Sequence, residues 1–345
     1  MPKMSVLPPT RPVDEWVGID PAVLPQRLLD ATEPVLVRGL ASHWPAVRAA
    51  HRSGAAVVDH LLACCGSATV NAWIGPPEIE GRFFYDADLR GFNFQAERLR
   101  LDAVLAALQR HAADDRPPAL YVGSTTVDTA LPGFRAHNDF GFSAIAPAEP
   151  LMSVWLGNRT RIAAHQDLPA NLACVVAGRR RFTLFEPAQV GNLYVGPLDF
   201  TPAGQPVSLV DITAPNLQRF PRYADAVRHA RVAELGPGDA LLIPSLWWHH
   251  VEALEPINAL VNYWWCRTPA HQDAPIDALL HTLMTVRELP LEQRLAWRAL
   301  FEHYVFAADE HTAAHIPEHA RGVLQPLDAE ASRRLRARLL QKLNR

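Results

Sequence analysis

His165-Gln166-Asp167 sets an imidazole and a carboxylate two residues apart, and in an extended chain two such side chains leave the same face. A second imidazole, His249 or His250, follows much later in Pro244-Ser245-Leu246-Trp247-Trp248-His249-His250-Val251. Two histidines and a carboxylate on facing strands of a small barrel would form the facial triad that holds non-haem Fe(II) and leaves positions open for substrate. A lone His-x-Asp is a weak signal, and the chain carries a second one, His137-Asn138-Asp139. That tripeptide lies between Pro132-Gly133 and Gly141, in a loop context, whereas His165 falls between two β-type runs; the context selects His165. Arg180 is the next candidate, because it shares one face of a strand with Phe182 and Leu184 and a buried guanidinium requires an anion. The plainer reading makes Arg179, Arg180 and Arg181 a solvated turn; the sharper one has Arg180 hold the distal carboxylate of a bound dicarboxylate through its fixed fork of donors. A triad beside an inward basic residue is what a 2-oxoglutarate oxygenase requires.

These residues need elements to aim them. From Leu151 to Leu156, Leu172 to Ala177, Arg181 to Phe185, Ser208 to Ile212, Ala240 to Pro244 and Ala259 to Trp265, short β-type runs alternate with Gly- and Pro-marked turns, the pattern of a sandwich or barrel. Upstream, Pro34-Val35-Leu36-Val37-Arg38-Gly39 reads as a strand reaching a turn. Leu101, Val104, Leu105 and Leu108 recur at helical spacing and stop before Pro117-Pro118, which predicts one amphipathic helix. Ala119 to Ser124 is a further short run, with Tyr121 inside it. Beyond Pro275 the texture becomes helical. The expected organisation is an α/β N-terminal extension (1–118), a barrel core (119–268) and a C-terminal helical region (269–345).

The chain has 345 residues, 49% of them apolar and 20% charged, as in globular proteins, which excludes disorder and collagen-like repeats. Its 33 Lys and Arg against 36 Asp and Glu give a net charge of −3, so no global field draws it to nucleic acid or to an anionic membrane. No apolar stretch approaches the roughly 18 residues of a membrane span, and the start lacks the apolar core of a signal peptide; a cytoplasmic location is expected. Cys64, Cys65, Cys174 and Cys266 are too few and scattered for a disulfide framework.

The stretch from Leu151 to Trp265 resembles the cupin-like branch of the Jumonji C oxygenases, the branch of the asparaginyl hydroxylase inhibiting hypoxia-inducible factor. The resemblance rests on His165-x-Asp167 followed by Asn171, Gly178 and Arg180, and on Arg181-Phe182-Thr183-Leu184-Phe185-Glu186-Pro187. It continues through Phe220-Pro221, Pro237-Gly238-Asp239-Ala240-Leu241-Leu242-Ile243-Pro244, Trp247-Trp248-His249-His250 and Asn262-Tyr263-Trp264, in family order. It implies a mainly β fold, a double-stranded β-helix (jelly-roll, cupin) core. It also implies His165, Asp167 and His249 as Fe(II) ligands, with His250 pointing away. Arg180 matches the basic residue for the 5-carboxylate of 2-oxoglutarate, and Tyr121 the phenol on the same group. Asn171 and Asn262 match amides near the 1-carboxylate and the metal, and Trp264 an aromatic wall. One position departs: three residues before the first ligand, where that hydroxylase has a Thr, this chain has Ile162.

The resemblance implies an Fe(II)- and 2-oxoglutarate-dependent hydroxylase that uses dioxygen and releases succinate and CO2. A non-catalytic cupin that binds a small molecule or sugar is the alternative. Lysine demethylation is a further alternative; it would need an acidic or aromatic cage, for which Tyr85, Phe92 and Phe94 are the candidates. The prime substrate, read by loops such as 73–95 and 124–150, carries no decodable motif. Helices over 276–306 and 328–342 are expected to form a homodimer interface, because Leu279, Leu280, Leu283, Met284, Trp297, Leu300, Phe301 and Phe306 among others exceed what surface helices should expose; the alternative is that they pack back on their own barrel.

Overall fold

The computed structural model describes residues 10–24, 26–141 and 150–344. Among them, strands β1 (Arg11–Pro12), β2 (Asp14–Trp16), β3 (Val35–Val37), β4 (Thr69–Gly75), β5 (Arg82–Phe83), β6 (Gln95–Arg100) and β7 (Ala119–Thr126) come first. Eight strands then follow: β8 (Leu151–Gly157), β9 (Arg161–His165), β10 (Ala170–Ala177), β11 (Arg180–Phe185), β12 (Arg231–Leu235), β13 (Ala240–Ile243), β14 (Trp248–Ala253) and β15 (Asn258–Trp265). They form a six-stranded sheet, β1-β12-β11-β14-β9-β5, and a nine-stranded sheet, β2-β3-β13-β10-β15-β8-β7-β4-β6. From β8 to β15 the chain changes sheet at every connection except β11 to β12, the double-stranded β-helix expected from the sequence.

Strands from both sides of residue 118 share the nine-stranded sheet, and residues up to Arg267 form one compact unit. On β10, Leu172, Cys174 and Val176 pack on the N-terminal helices while Ala173 and Val175 face the barrel interior. With both faces covered, the strand reads as one continuous apolar run. The helix Leu101–Arg110 buries Leu101, Val104, Leu105 and Leu108, the stripe expected. The helix Gly54–Cys64 is capped by Ser53, whose side chain accepts the Ala56 N–H at 3.0 Å, replacing a bond the first helical turn leaves open.

Ser208–Ile212, expected as a strand, is bend and turn structure instead, joined to its surroundings by the Val195–Ser208 bridge. The physical reason lies in the long β11–β12 connection, which builds its own small core from Leu193, Val210 and Tyr223 against Phe185 and Trp248.

Residues 268–344 form the second unit, with helices Pro275–Thr285, Leu291–Phe301 and Ala329–Leu343. The middle helix runs on into a π-helical turn, Glu302–Phe306. No helix of the described residues is long and apolar enough to cross a membrane.

Candidate metal centre

His165 ends β9 and His249 lies in β14, where the two are register partners of an antiparallel pair. The histidines therefore sit on neighbouring strands of one sheet, not on facing strands as the spacing argument expected, and strand adjacency does what barrel closure was expected to do. Their ring centroids are 4.3 Å apart. Asp167 follows in the turn after β9, with its Oδ2 3.6 Å from His249 Nε2. Candidate ligand atoms of His165, Asp167 and His249 all lie within 4.8 Å of one another, close enough for one ion to bridge them. The Leu246 N–H donates to the Asp167 carbonyl at 2.9 Å, and the Ser245 hydroxyl donates to the Leu168 carbonyl at 2.5 Å. The turn leading into β14 thus clamps the backbone that carries the carboxylate.

Tautomers follow from the same geometry. His165 Nδ1 is 2.9 Å from the Ala163 carbonyl and His249 Nδ1 is 3.0 Å from the Trp247 carbonyl. A carbonyl only accepts, so each Nδ1 carries a proton, which leaves Nε2 as the nitrogen of each ring available to a metal. Burial, reinforced by the neighbouring His165, pushes the His249 imidazole down to about 4 and keeps it neutral near pH 7. His250, next in the strand, faces the other side, where its Nε2 lies 4.0 Å from a Glu252 carboxylate oxygen. The rejected tripeptide is structural: Asn138 is buried and accepts the Ala46 N–H, and Asp139 accepts the Tyr263 hydroxyl at 2.8 Å.

Arg180 opens β11 and is 4% exposed. Its neighbours point outward, Arg179 to Glu255 and Arg181 to Glu234, so strand alternation turns Arg180 inward. Its Nε has no partner, and Nη2 reaches only the Trp155 carbonyl at 3.5 Å. Burial lowers its pKa to about 10, against which the nearby Tyr121 acts weakly; the guanidinium stays charged at neutral pH. Burial also raises the Tyr121 hydroxyl, which stays protonated as a donor. Asn262 donates to Asn171 at 3.2 Å and accepts the Trp155 indole N–H at 2.7 Å.

All eight residues singled out in the sequence, Tyr121, His165, Asp167, Asn171, Arg180, His249, Asn262 and Trp264, line a single inner cavity of about 40 Å³. Ile162 lines it too, so the departure noted above puts an alkyl group where a hydroxyl was expected. Trp155 was missed. It fixes Asn262 and packs edge-on to Trp264 at 5.6 Å. On β8, Met152, Val154 and Leu156 pack outward on the helices, so period-two alternation would have turned Trp155 inward.

Two sheets closed into a jelly roll around a His-Asp-His cluster define a cupin barrel with a site for one metal ion. The chain belongs to the cupin-like family of Jumonji C oxygenases: the cupin-like domain matches residues 21–271. HSPB1-associated protein 1 of Bos taurus is 31% identical over 149 residues, 43% of this chain and 30% of that protein. The bifunctional peptidase and (3S)-lysyl hydroxylase JMJD7 of Homo sapiens is 26% identical over 261 residues, 67% of this chain and 77% of that protein. Lysine-specific demethylase JMJ31 of Arabidopsis thaliana is 26% identical over 274 residues, 70% of this chain and 48% of that protein. The chain thus spans under a third of the cattle relative and about half of the plant one.

Proposed function

We propose that the protein is an Fe(II)- and 2-oxoglutarate-dependent oxygenase that hydroxylates a protein side chain or a small molecule. The observation that carries this reading is Arg180: a buried, charged guanidinium with an unpartnered Nε, in the same cavity as the metal-ligating cluster. A buried cation without an anion is costly, and a dicarboxylate cosubstrate supplies the anion. The donor set also fits, since two imidazoles and one carboxylate suit iron in an oxygenase site.

His165, Asp167 and His249 would hold the iron, which supplies the dioxygen-dependent oxidation when bound. The remaining work falls to this chain's own groups. Arg180 grips the distal carboxylate of 2-oxoglutarate with its planar fork, and the Tyr121 hydroxyl donates to the same group. Asn171 and Asn262, fixed by each other and by the Trp155 indole, present amides toward the proximal carboxylate. Trp155 and Trp264 keep water from the inner cavity, where every charge interaction gains from the lower dielectric. Because Ile162 offers no hydroxyl, Arg180 and Tyr121 carry the anchoring. In the balanced reaction one oxygen atom of dioxygen enters the substrate C–H bond, the other enters succinate, and CO2 leaves. A non-catalytic cupin has less support, since the matched relatives bear hydroxylase and demethylase names.

The test is Fe(II)-dependent conversion of 2-oxoglutarate to succinate, slow without prime substrate and suppressed by Zn(II). Absence of succinate above a His249→Ala blank, in protein shown to contain Fe(II), refutes the reading.

The second unit is proposed as a homodimer interface. Its first two helices bury no residue; Met284 exposes 69% and Phe306 76% of its surface, and Leu279, Leu291 and Trp297 are also exposed. Apolar exposure on this scale marks an interaction surface. Light scattering should give twice the chain mass at micromolar concentration, and Leu291→Glu with Phe306→Glu should halve it. A monomeric wild type refutes the interface.

A further inference from the structure

Beyond the inner cavity lies a larger chamber of about 640 Å³, and the two share Tyr121, Trp155, Ile162, His165, Asp167 and Trp264 in their walls. Its floor therefore includes His165 and Asp167 of the candidate metal cluster, and a group filling the chamber reaches them. Among the described residues that line the chamber, the only ionisable groups besides the Tyr121 phenol are His165 and Asp167, both assigned to the metal. The polar remainder is neutral, as in Asn71, Ser124, Thr125 and Gln205.

One wall carries Trp73, Phe92 and Phe94, which belong to a column of stacked rings. Trp73 lies on Phe94 at 4.5 Å with 26° between planes, Phe94 on Phe92 at 5.3 Å with 20°, and Phe92 on Phe200 at 4.9 Å with 17°. Both ends are closed, Trp73 by Phe83 and Tyr121 and Phe200 by Tyr85. This arrangement bears directly on charge. A cage for an ammonium or methylammonium group needs ring faces, where the quadrupole is negative. In the column the faces of Trp73, Phe94, Phe92 and Phe200 cover one another, and a stacked column offers its sides, the positive ring edges. Edges attract the π-face or alkyl body of a neutral ligand and repel a cation. Among the described residues that line the chamber, Asp167 is the one carboxylate that could compensate a buried positive charge and no Lys or Arg is present to compensate a negative one, which makes either costly to admit.

We infer that the prime substrate presents to the metal a neutral group with an aromatic or branched aliphatic body, and that Trp73, Phe92 and Phe94 select it. This rests on the oxygenase reading for the identity of the floor but not for the chamber's charge preference. A lysyl or methyl-lysyl head is thereby disfavoured as the reacting group.

The test uses a matched pair of fluorescent probes, diphenylhexatriene and its trimethylammonium derivative, titrated against the full chain. The neutral probe should bind about tenfold or more tightly than the cationic one, the unpaired cation costing at least 1.4 kcal/mol. Ala96→Trp and Ala203→Trp, at exposed positions that line the chamber, should each weaken the neutral probe at least fivefold while the protein stays folded. Equal or tighter binding of the cation overturns the inference, as does an absence of binding or a neutral-probe affinity unchanged in both variants. Succinate formation is assayed in parallel. Its loss with the probe preference intact breaks the oxygenase reading alone, and a reversed preference with succinate formation intact breaks this inference alone.

Discussion

The inner cavity and the outer chamber share six wall residues and differ in nearly everything else. The inner one is about 40 Å³, walled by a buried guanidinium, two imidazoles, a carboxylate and two amides; the outer one is about 640 Å³, walled, apart from the shared His165 and Asp167, by rings and neutral polar groups. Charge is thus concentrated where a small, invariant cosubstrate would sit and removed from where a larger, variable one would. The division follows from physics. A buried charge is tolerable only opposite a partner of fixed geometry, and a cosubstrate common to every turnover is such a partner.

The largest expected effect tests the inner side. His249→Ala should abolish Fe(II)-dependent succinate formation, whereas His250→Ala, on the opposite face of β14, should lower it much less. Comparable losses from both would show that the strand face does not decide the ligand. Next in size is Arg180→Ala. Removing a charged hydrogen-bonding partner costs about 1.5–3 kcal/mol, so 2-oxoglutarate affinity should fall roughly 10- to 150-fold with the metal still bound, by titration in the presence of Zn(II) or Mn(II). An unchanged affinity would return Arg180 to a structural role. The smallest effect sharpens the comparison from the other side: Phe94→Ala opens the ring column yet should change 2-oxoglutarate affinity less than about threefold, since Phe94 lines the outer chamber and not the inner cavity and couples to Tyr121 through Trp73. If it matches Arg180→Ala, the two compartments are one.

The same boundary separates what was legible in the sequence from what was not. His165, Asp167 and Arg180 stood out because their types and spacing have few uses, and the resemblance chose His249 over His250. The strands β8, β10, β11, β13 and β15 were legible as apolar runs, the burial of both faces having erased their alternation. Strands β9, β12 and β14 were not, because His165, Glu234, His249, His250 and Glu252 interrupt the apolar pattern in them. In β9 and β14 the candidate metal ligands thus hid the strands that hold them. Ser208–Ile212 misled in the opposite sense, its apolar residues belonging to a local core inside a connection. Of the ring column only Phe92 and Phe94 were singled out, with Tyr85, as a possible cage; the stack itself was illegible, since Trp73 lies in β4, Phe92 and Phe94 near β6, and Phe200 in the β11–β12 connection, and no local spacing announces a stack built from three places.

The register pairing of His165 with His249 has a consequence for how the molecule comes together. The two strands are neighbours in space, but β10 to β13 and the long β11–β12 connection intervene in sequence. Neither half of the chain can hold an ion with three protein ligands by itself, so a metal cannot template an early folding intermediate and can recognise only the closed barrel. Its stabilisation is then a property of the native state alone, about 2.7 kcal/mol at a free concentration 100-fold above Kd, and it appears almost wholly in the rate of unfolding. Stopped-flow refolding should run at the same speed with or without Zn(II), while unfolding slows as the ion is added. An accelerated refolding arm would mean that β9 and β14 meet before the strands between them are in place.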